Sequence, residues 1–155
     1  MNLFNRYRFC TVDEKEPDVW EAVSSFSDTF HEMKVSIIVK RQKKESPLDT
    51  RAFTIVSVKG EMKRYPDSPC LHTLEKLKLL KGLSLDPPVR RRIREILGGS
   101  QGCRQLEDLV LDAVQCFIQA EFVVRAHGIT DPKERRRKFQ KVMMDHCYLY
   151  SQPLS

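Results

Sequence analysis

Alternation of apolar and polar residues in the first 60 positions predicts β-strands. From Met33 to Val39 every second residue is apolar, and lysine or serine fills most positions between. A period of two residues is typical of a strand with one buried face. The segment 20–26 alternates similarly, and the β-branched segment 53–58 reads as a third strand after a charged loop at 41–49. We therefore predict a three-stranded antiparallel meander, with no element assigned to residues 1–18.

After Gly60 the apolar period becomes helical. Ser68 and Pro69 are typical of a helix N-cap and first position, and Gly82 of a helix end. Similar signals place a second helix from Asp86 to Gly98 and a final helix from Asp131. The longest pattern, from about 102 to 126, is apolar on several sides, which is typical of a central helix.

The order of these elements predicts the fold class. Strands come first and about four helices follow, so we expect an α+β protein whose helices form a layer on one face of the three-stranded sheet. In the central helix, Leu109 and Phe117 lie at helical spacing on the apolar face. We expect this face to pack on the strand from Met33 to Val39.

Composition and charge set limits on function. The 155 residues, 41% hydrophobic and 31% charged, are enough for one domain over residues 1–155. The first residues show no signal-peptide pattern, and no run of about 18 apolar residues occurs, so we expect a cytoplasmic protein without a membrane partner. The net charge of +6 includes basic clusters at 90–94 and 135–138. Nearby glutamates and the lack of interleaved aromatics favour solvated helix faces over a nucleic-acid site.

The five cysteines point to a candidate site. They are odd in number and contain no CxxC pair, so they read as free thiols or metal ligands. Cys70 and Cys103 are each predicted at a helix start, where unpaired N–H groups and the helix dipole favour the thiolate. With His31 they offer soft ligands suited to zinc or an iron–sulfur cluster, and His72 is a weaker fourth ligand. Buried cysteine is common in protein cores, so simple packing stays open for these thiols.

Three motifs resemble those of an uncharacterised bacterial protein family. They are His31-Glu32-Met33, the stretch from Tyr65 to Cys70, and Gly98-Gly99-Ser100-Gln101-Gly102-Cys103. The resemblance covers about residues 20 to 122. The third motif in that family is Gly-Gly-x-x-Gly-Cys-Thr-His-Leu, so that Arg104-Gln105 of this chain stands in the place of Thr-His.

A more distant resemblance is to iron–sulfur scaffold proteins of the IscU and NifU N-terminal type. It implies a SufE/NifU-like fold and places the ligand positions of the scaffolds at His31, Cys70 and Cys103. The first scaffold cysteine falls at Thr29 and the scaffold histidine at Gly102. The hypothesis that follows is a cytosolic scaffold or accessory protein rather than an enzyme, with an iron–sulfur cluster or zinc at these three residues. A protein partner in cofactor or sulfur delivery is implied as well.

Three other functions stay open on the sequence. One is a sulfur acceptor, in which Cys70 or Cys103 carries a persulfide. Another is a nucleic-acid-binding module that uses the basic clusters at 90–94 and 135–138. The last is a degenerate family member whose cysteines only fill the core.

Overall fold

The computed structural model describes residues 1, 3–42, 53–86, 88–143 and 147–153, with the side chains of 141 and 142 left out. Four strands form one antiparallel sheet in chain order: β1 (Arg6–Glu16), β2 (Val19–Asp28), β3 (Glu32–Arg41) and β4 (Phe53–Arg64). A 3₁₀ helix and four α-helices follow: the 3₁₀ helix Ser68–Leu80, α1 (Val89–Leu97), α2 (Arg104–Ala126), α3 (Pro132–Met143) and α4 (Tyr148–Ser151). The α+β class is thus confirmed.

The predicted three-stranded sheet is wrong, because β1 adds a fourth strand in a segment left unassigned. Cys10 pairs with Ser24 and Arg8 with Phe26, so the even-numbered residues of β1 share a face with the buried residues of β2. Several of these positions are charged and lie at the edge of the sheet, which hides the apolar alternation that marks a strand. The described residues also show no SufE/NifU-like fold, so that inference from the resemblance is wrong as well.

The two strands predicted from clear alternation, at 20–26 and 33–39, are confirmed as parts of β2 and β3. In β2, Trp20 and Phe26 are buried, and so are the small side chains between them on the same face. In β3, Met33 is 3% exposed and Val35, Ile37 and Val39 are fully buried. The third predicted strand begins at Phe53 as expected and continues to Arg64, beyond the predicted end. Most of the loop predicted at 41–49 lies outside the described residues.

Helix α2 crosses the buried face of the sheet. The Arg8 guanidinium forms ion pairs of 3.0 Å with both Asp108 and Asp112, while further along α2 the Phe117 ring stacks on Phe53. Arg8 is near the β2–β3 turn, whereas Phe53 pairs with Arg41 at the opposite end of the sheet. The first turns of α2 therefore lie toward the β2–β3 turn, and the turn that carries Phe117 lies toward the other end.

Two helix starts are shifted from their predicted positions. Helix α1, predicted from Asp86, begins at Val89 after Pro88, without a side-chain cap. The 3₁₀ helix is capped by Asp67, whose carboxylate accepts a hydrogen bond of 2.6 Å from the Ser68 N–H, one residue before the predicted cap. Aspartate and serine are about equally good N-caps, so the sequence signal does not decide between Asp67 and Ser68. Helix α2 ends at Ala126, as predicted.

The described chain divides into two compact units, Met1–Gln119 and Ala120–Ser155. The first contains the sheet, the 3₁₀ helix, α1 and most of α2. In the second, the Phe122 ring lies 4.4 Å from the Phe139 ring and 5.9 Å from that of Tyr150. The single domain over residues 1–155 stays a prediction. Among the described residues, no helix combines the length and apolarity needed to cross a bilayer.

Candidate functional site

The β2–β3 turn holds a buried carboxylate and a histidine in direct contact. Asp28, 7% exposed, accepts hydrogen bonds through Oδ1 from the N–H groups of Phe30 and His31, both at 2.8 Å. The same oxygen lies 3.0 Å from His31 Nδ1. An aspartate that binds backbone groups two and three residues ahead forms a local turn of its own. The Asp28 carboxylate thus stabilises the turn and orients the His31 imidazole through the same oxygen atom.

Neighbouring strands hold this turn on two sides. Arg64, the last residue of β4, donates hydrogen bonds to the backbone oxygens of Asp28 at 2.8 Å and His31 at 3.2 Å. Arg6 of β1 places its guanidinium 3.7 Å from Asp28 Oδ2. The two arginines surround the carboxylate and the turn with positive charge, which favours the ionised aspartate.

The proton positions follow from the state of Asp28. Burial alone would raise the pKa of Asp28, but hydrogen bonds from the Phe30 N–H and from the ring and N–H of His31 outweigh it and hold the pKa below its ordinary value. An ionised carboxylate only accepts, so His31 Nδ1 carries the hydrogen of this bond. Nε2 has no hydrogen-bond partner among the residues that the structure describes. A histidine oriented in this way by a carboxylate is suited to bind a metal ion or take up a proton.

Cys70 and Cys103 both lie at helix starts, as predicted, and both are half-buried. Cys70 is in the first turn of the 3₁₀ helix, where its N–H donates to the Asp67 carbonyl at 3.0 Å. Cys103 directly precedes α2, and its carbonyl accepts a hydrogen bond of 2.9 Å from the Glu107 N–H. The backbone of each cysteine is therefore held in place at a helix end.

The glycine motif before Cys103 has a packing function. A Cβ atom on Gly98 would lie 2.6 Å from the Arg94 carbonyl oxygen and 2.6 Å from Glu107 Oε2, and one on Gly102 would overlap the Leu97 carbonyl oxygen. Both positions thus require glycine because backbone and a buried carboxylate fill the space of a side chain. The motif shapes the loop between α1 and α2 and sets the position of Cys103.

Gln105, the second residue after this motif, is also distinctive. Its buried Oε1 has no hydrogen-bond partner among the described residues. Glu107, 3% exposed, instead holds Arg94 and Arg104 at 3.6 and 3.4 Å. The start of α2 is therefore tied to α1 by charge, with no second histidine beside Cys103.

The elements that carry His31, Cys70 and Cys103 meet at the same end of the sheet. His31 precedes β3, Cys70 follows the end of β4, and the first turns of α2 lie toward the β2–β3 turn. Within the described residues, however, no three His, Cys, Asp or Glu side chains are grouped closely enough to hold a metal ion. The shared site stays a prediction, and His72, the weaker fourth ligand, is exposed.

A contact that the sequence did not predict joins Cys10 to Cys116. Burial raises the pKa of the Cys10 thiol to about 12, and the neighbouring Cys116 and Asp112 add to the shift. Because β1 was unassigned, nothing in the sequence placed Cys10 beside α2. The sequence shows only the α2 side of this contact, because Asp108, Asp112 and Cys116 follow at intervals of four residues and so share one helix face.

Several arginines of the two basic clusters form ion pairs or hydrogen bonds within the protein. Arg91 lies 3.5 Å from Glu95, and Arg135 donates a hydrogen bond of 2.8 Å to the Ile129 carbonyl. Arg136 donates to the carbonyls of Gln152 and Pro153. Such bonds satisfy carbonyls at chain turns, and they agree with the interpretation of these residues as parts of helix surfaces.

Comparison with known proteins identifies a family whose function is not known. No curated protein and no solved structure matches the chain. The model of one family, described as Protein of unknown function (DUF2889), matches residues 5–119. This range contains the whole sheet, the 3₁₀ helix, α1 and most of α2, together with His31, Cys70 and Cys103. The chain therefore belongs to the DUF2889 family of proteins of unknown function.

Proposed function

We propose that this protein is an accessory protein that holds an exchangeable soft metal ion, of which zinc is the best fit, at the β2–β3 turn end of the sheet. His31, Cys70 and Cys103 are its ligands. The observation that supports the proposal most is the hydrogen bond of 3.0 Å between the buried Asp28 carboxylate and His31 Nδ1. Outer-shell carboxylates of this kind orient metal-binding histidines and raise their basicity.

The ligand set decides what the ion could do. Imidazole nitrogen and thiolate sulfur suit zinc, with bond lengths of about 2.0 and 2.3 Å. Three protein ligands leave one tetrahedral position open to water or to a partner protein, whereas structural zinc sites take all four ligands from the chain. An ion with an open position exchanges more readily, which suits delivery to a partner better than permanent binding.

The ion itself must complete the site, because the described residues contain no ready group of three ligands. His31 is the fixed ligand, since four hydrogen bonds with Asp28 and Arg64 hold its backbone and ring. The backbones of Cys70 and Cys103 are held at their helix ends, so their side chains must rotate toward the ion on binding. An iron–sulfur cluster is the alternative occupant, proposed on ligand type alone because the fold gives it no support.

Titration of the protein with Co²⁺ tests the proposal, because cobalt bound by thiolates absorbs in the near ultraviolet and reports sulfur ligands directly. We expect one equivalent to bind and excess Zn²⁺ to displace it. His31→Ala, Cys70→Ser and Cys103→Ser are each expected to weaken binding by about tenfold or more. His127→Ala and Cys147→Ser are matched controls that should leave it unchanged. An absence of thiolate absorption, or equal weakening by the controls, would overturn the metal site.

A second candidate function is that of a sulfur acceptor, favoured by the contrast between Cys103 and Cys10. Cys103 is half-buried and directly precedes the 23-residue helix α2. In the transfer, the Cys103 thiolate attacks the terminal sulfur of a donor persulfide, and the donor leaves as a thiolate. Cys10, whose pKa is raised to about 12 by burial and by Cys116, stays protonated and cannot compete.

This contrast predicts the order in which the thiols react. With iodoacetamide between about pH 6 and 9, we expect Cys103 to be alkylated at least tenfold faster than Cys10, because only the thiolate is nucleophilic. Peptide mass spectrometry on quenched samples measures each rate, and alkylation of the unfolded chain in urea gives the reference. Equal rates for the two thiols in the folded protein would contradict both the sulfur-acceptor function and the raised pKa of Cys10.

A further inference from the structure

The two edges of the sheet differ in how the chain covers them. At β4, the Ile55 N–H donates to the Leu83 carbonyl at 2.8 Å, and the Leu85 N–H donates to the Phe53 carbonyl. At β1, the side facing away from β2 has no backbone partner among the described residues. A strand of 11 residues with a free edge can accept another strand through its unpaired N–H and C=O groups.

The charges along β1 are ordered in a way that identifies the added strand. Arg6 and Arg8 occupy its start, whereas its last four residues, Asp13 to Glu16, include three acids. The fourth, Lys15, forms an ion pair of 2.9 Å with Glu21 of β2. When such a strand pairs antiparallel with a copy of itself, each basic start lies beside an acidic end.

We infer that β1 pairs antiparallel with β1 of a second copy of this chain, centred on Thr11, so that the sheets of both copies become continuous. In this register Arg8 lies opposite Glu14 of the partner subunit, and the same pair recurs by the two-fold symmetry. Within one chain Arg8 already binds Asp108 and Asp112, and Glu14 accepts a hydrogen bond from the Trp20 indole, so the pairs between the copies would extend these polar contacts. The β-bulge between Glu14 and Glu16 ends the regular ladder at the limit of this paired stretch. A second copy fits better than an unrelated peptide, because both halves of the complementary charge pattern come from the same strand.

Exposed aromatic surface beside the edge agrees with this pairing. Tyr7 and Phe9 are 61% and 50% exposed, and their rings stack at a centroid distance of 6.4 Å. Both are odd-numbered residues of β1, on the face that also carries Thr11. In the paired sheet, Phe9 is a diagonal neighbour of Thr11 of the partner subunit, so that the second copy covers part of this apolar surface.

Sedimentation velocity over a range of concentrations and site-directed cross-linking test the inference. We expect a monomer–dimer equilibrium, and we expect Thr11→Cys to form a position-11 cross-link with a short bis-maleimide. Phe9→Cys is the matched control: it lies on the same face, but in this register it is opposite Asp13 of the partner subunit and should not link to itself. Peptide mass spectrometry separates these products from those of the native cysteines.

A charge variant tests the same centre by a second route. Thr11→Lys places two ammonium groups opposite each other and is expected to weaken dimerisation roughly fivefold or more. Thr130→Lys adds the same charge in an exposed loop and should leave it unchanged, with circular dichroism verifying that both fold. A protein that stays monomeric, or a dimer in which Thr11→Cys does not link and Thr11→Lys has no effect, would overturn the inference.

Discussion

Replacing Phe117 with alanine is expected to lower the free energy of unfolding by about 3–5 kcal/mol. Phe117 is fully buried, and its ring stacks on that of Phe53, the first residue of β4, at a centroid distance of 6.4 Å. Phe53 in turn contacts the ring of Trp20 at 5.0 Å. The substitution would leave a cavity between α2 and the sheet and remove one ring of this aromatic stack, so both the transfer and the cavity costs apply.

The neighbouring residue provides a control for this prediction. Ile118 is next to Phe117 in α2 but is 38% exposed, so Ile118→Ala should cost less than about 1.5 kcal/mol. Urea denaturation followed by circular dichroism measures both variants, and an unchanged slope with denaturant would indicate the same two-state transition. Similar costs for the two substitutions would show that α2 does not pack on the sheet through Phe117.

The difference between the predicted and observed sheets has a physical cause. Strands β2 and β3 have both neighbours in the sheet and one face fully covered, so their sequences must alternate. Among the strands that the structure describes, β1 has only one neighbour, and its inward positions hold Arg8 and Glu14, which are satisfied by polar contacts. Arg8 binds Asp108 and Asp112, while Glu14 accepts a hydrogen bond of 3.2 Å from the Trp20 indole. A hydrophobic period cannot reveal a strand whose inner face is stabilised by ion pairs.

The candidate site, like the sheet, could be predicted only in part. Proline and glycine signals placed Cys70 and Cys103 at helix starts because those residues restrict or free the backbone in a known way. The role of Asp28 was missed, since a single aspartate before a turn is common on protein surfaces. The available signal was its spacing, three residues before His31, which allows an aspartate to bind the backbone of its own turn. Arg6 and Arg64 reach Asp28 from two other strands of the sheet. Their approach depends on strand pairing, which sequence spacing does not show.

The glycine motif illustrates how packing and chemistry can produce the same sequence signal. A Gly-Gly-x-x-Gly-Cys stretch before a helix suggests a flexible approach to a reactive thiol. In the structure, Gly98 and Gly102 are instead required because the Leu97 and Arg94 carbonyls and the Glu107 carboxylate occupy the space of a side chain. The motif therefore fixes Cys103 in place, which a preorganised ligand or nucleophile also needs.

Substitution of Asp28 by alanine is expected to lower the free energy of unfolding by about 2–4 kcal/mol near neutral pH. The Asp28 carboxylate accepts three hydrogen bonds within the β2–β3 turn, and removal leaves the N–H groups of Phe30 and His31 without their partner. Asp13→Ala, an exposed carboxylate of β1, is the control and should cost less than about 0.5 kcal/mol. Equal effects of the two would mean that Asp28 does not organise the turn.

The pH dependence of this loss has a definite sign. The pKa of Asp28 is held below its ordinary value of 3.8 in the folded protein. A depressed folded pKa contributes stability that is fully present above the unfolded value and is lost as the pH falls through the folded one. The difference in unfolding free energy between the wild type and Asp28→Asn should therefore be constant above about pH 5 and shrink below pH 4. A difference that grows on acidification would contradict the ionised, hydrogen-bonded carboxylate.

The same variant separates a turn that is only structural from one that prepares a ligand. If Asp28 orients His31 for an ion, Asp28→Asn should weaken Co²⁺ binding by about 10–100-fold, the usual cost of losing an outer-shell partner. In the His31→Ala background the same substitution should then have almost no further effect, because there is no imidazole left to orient. Equal and additive losses in both backgrounds would show that Asp28 acts through the fold alone and that His31 Nε2 is not a ligand.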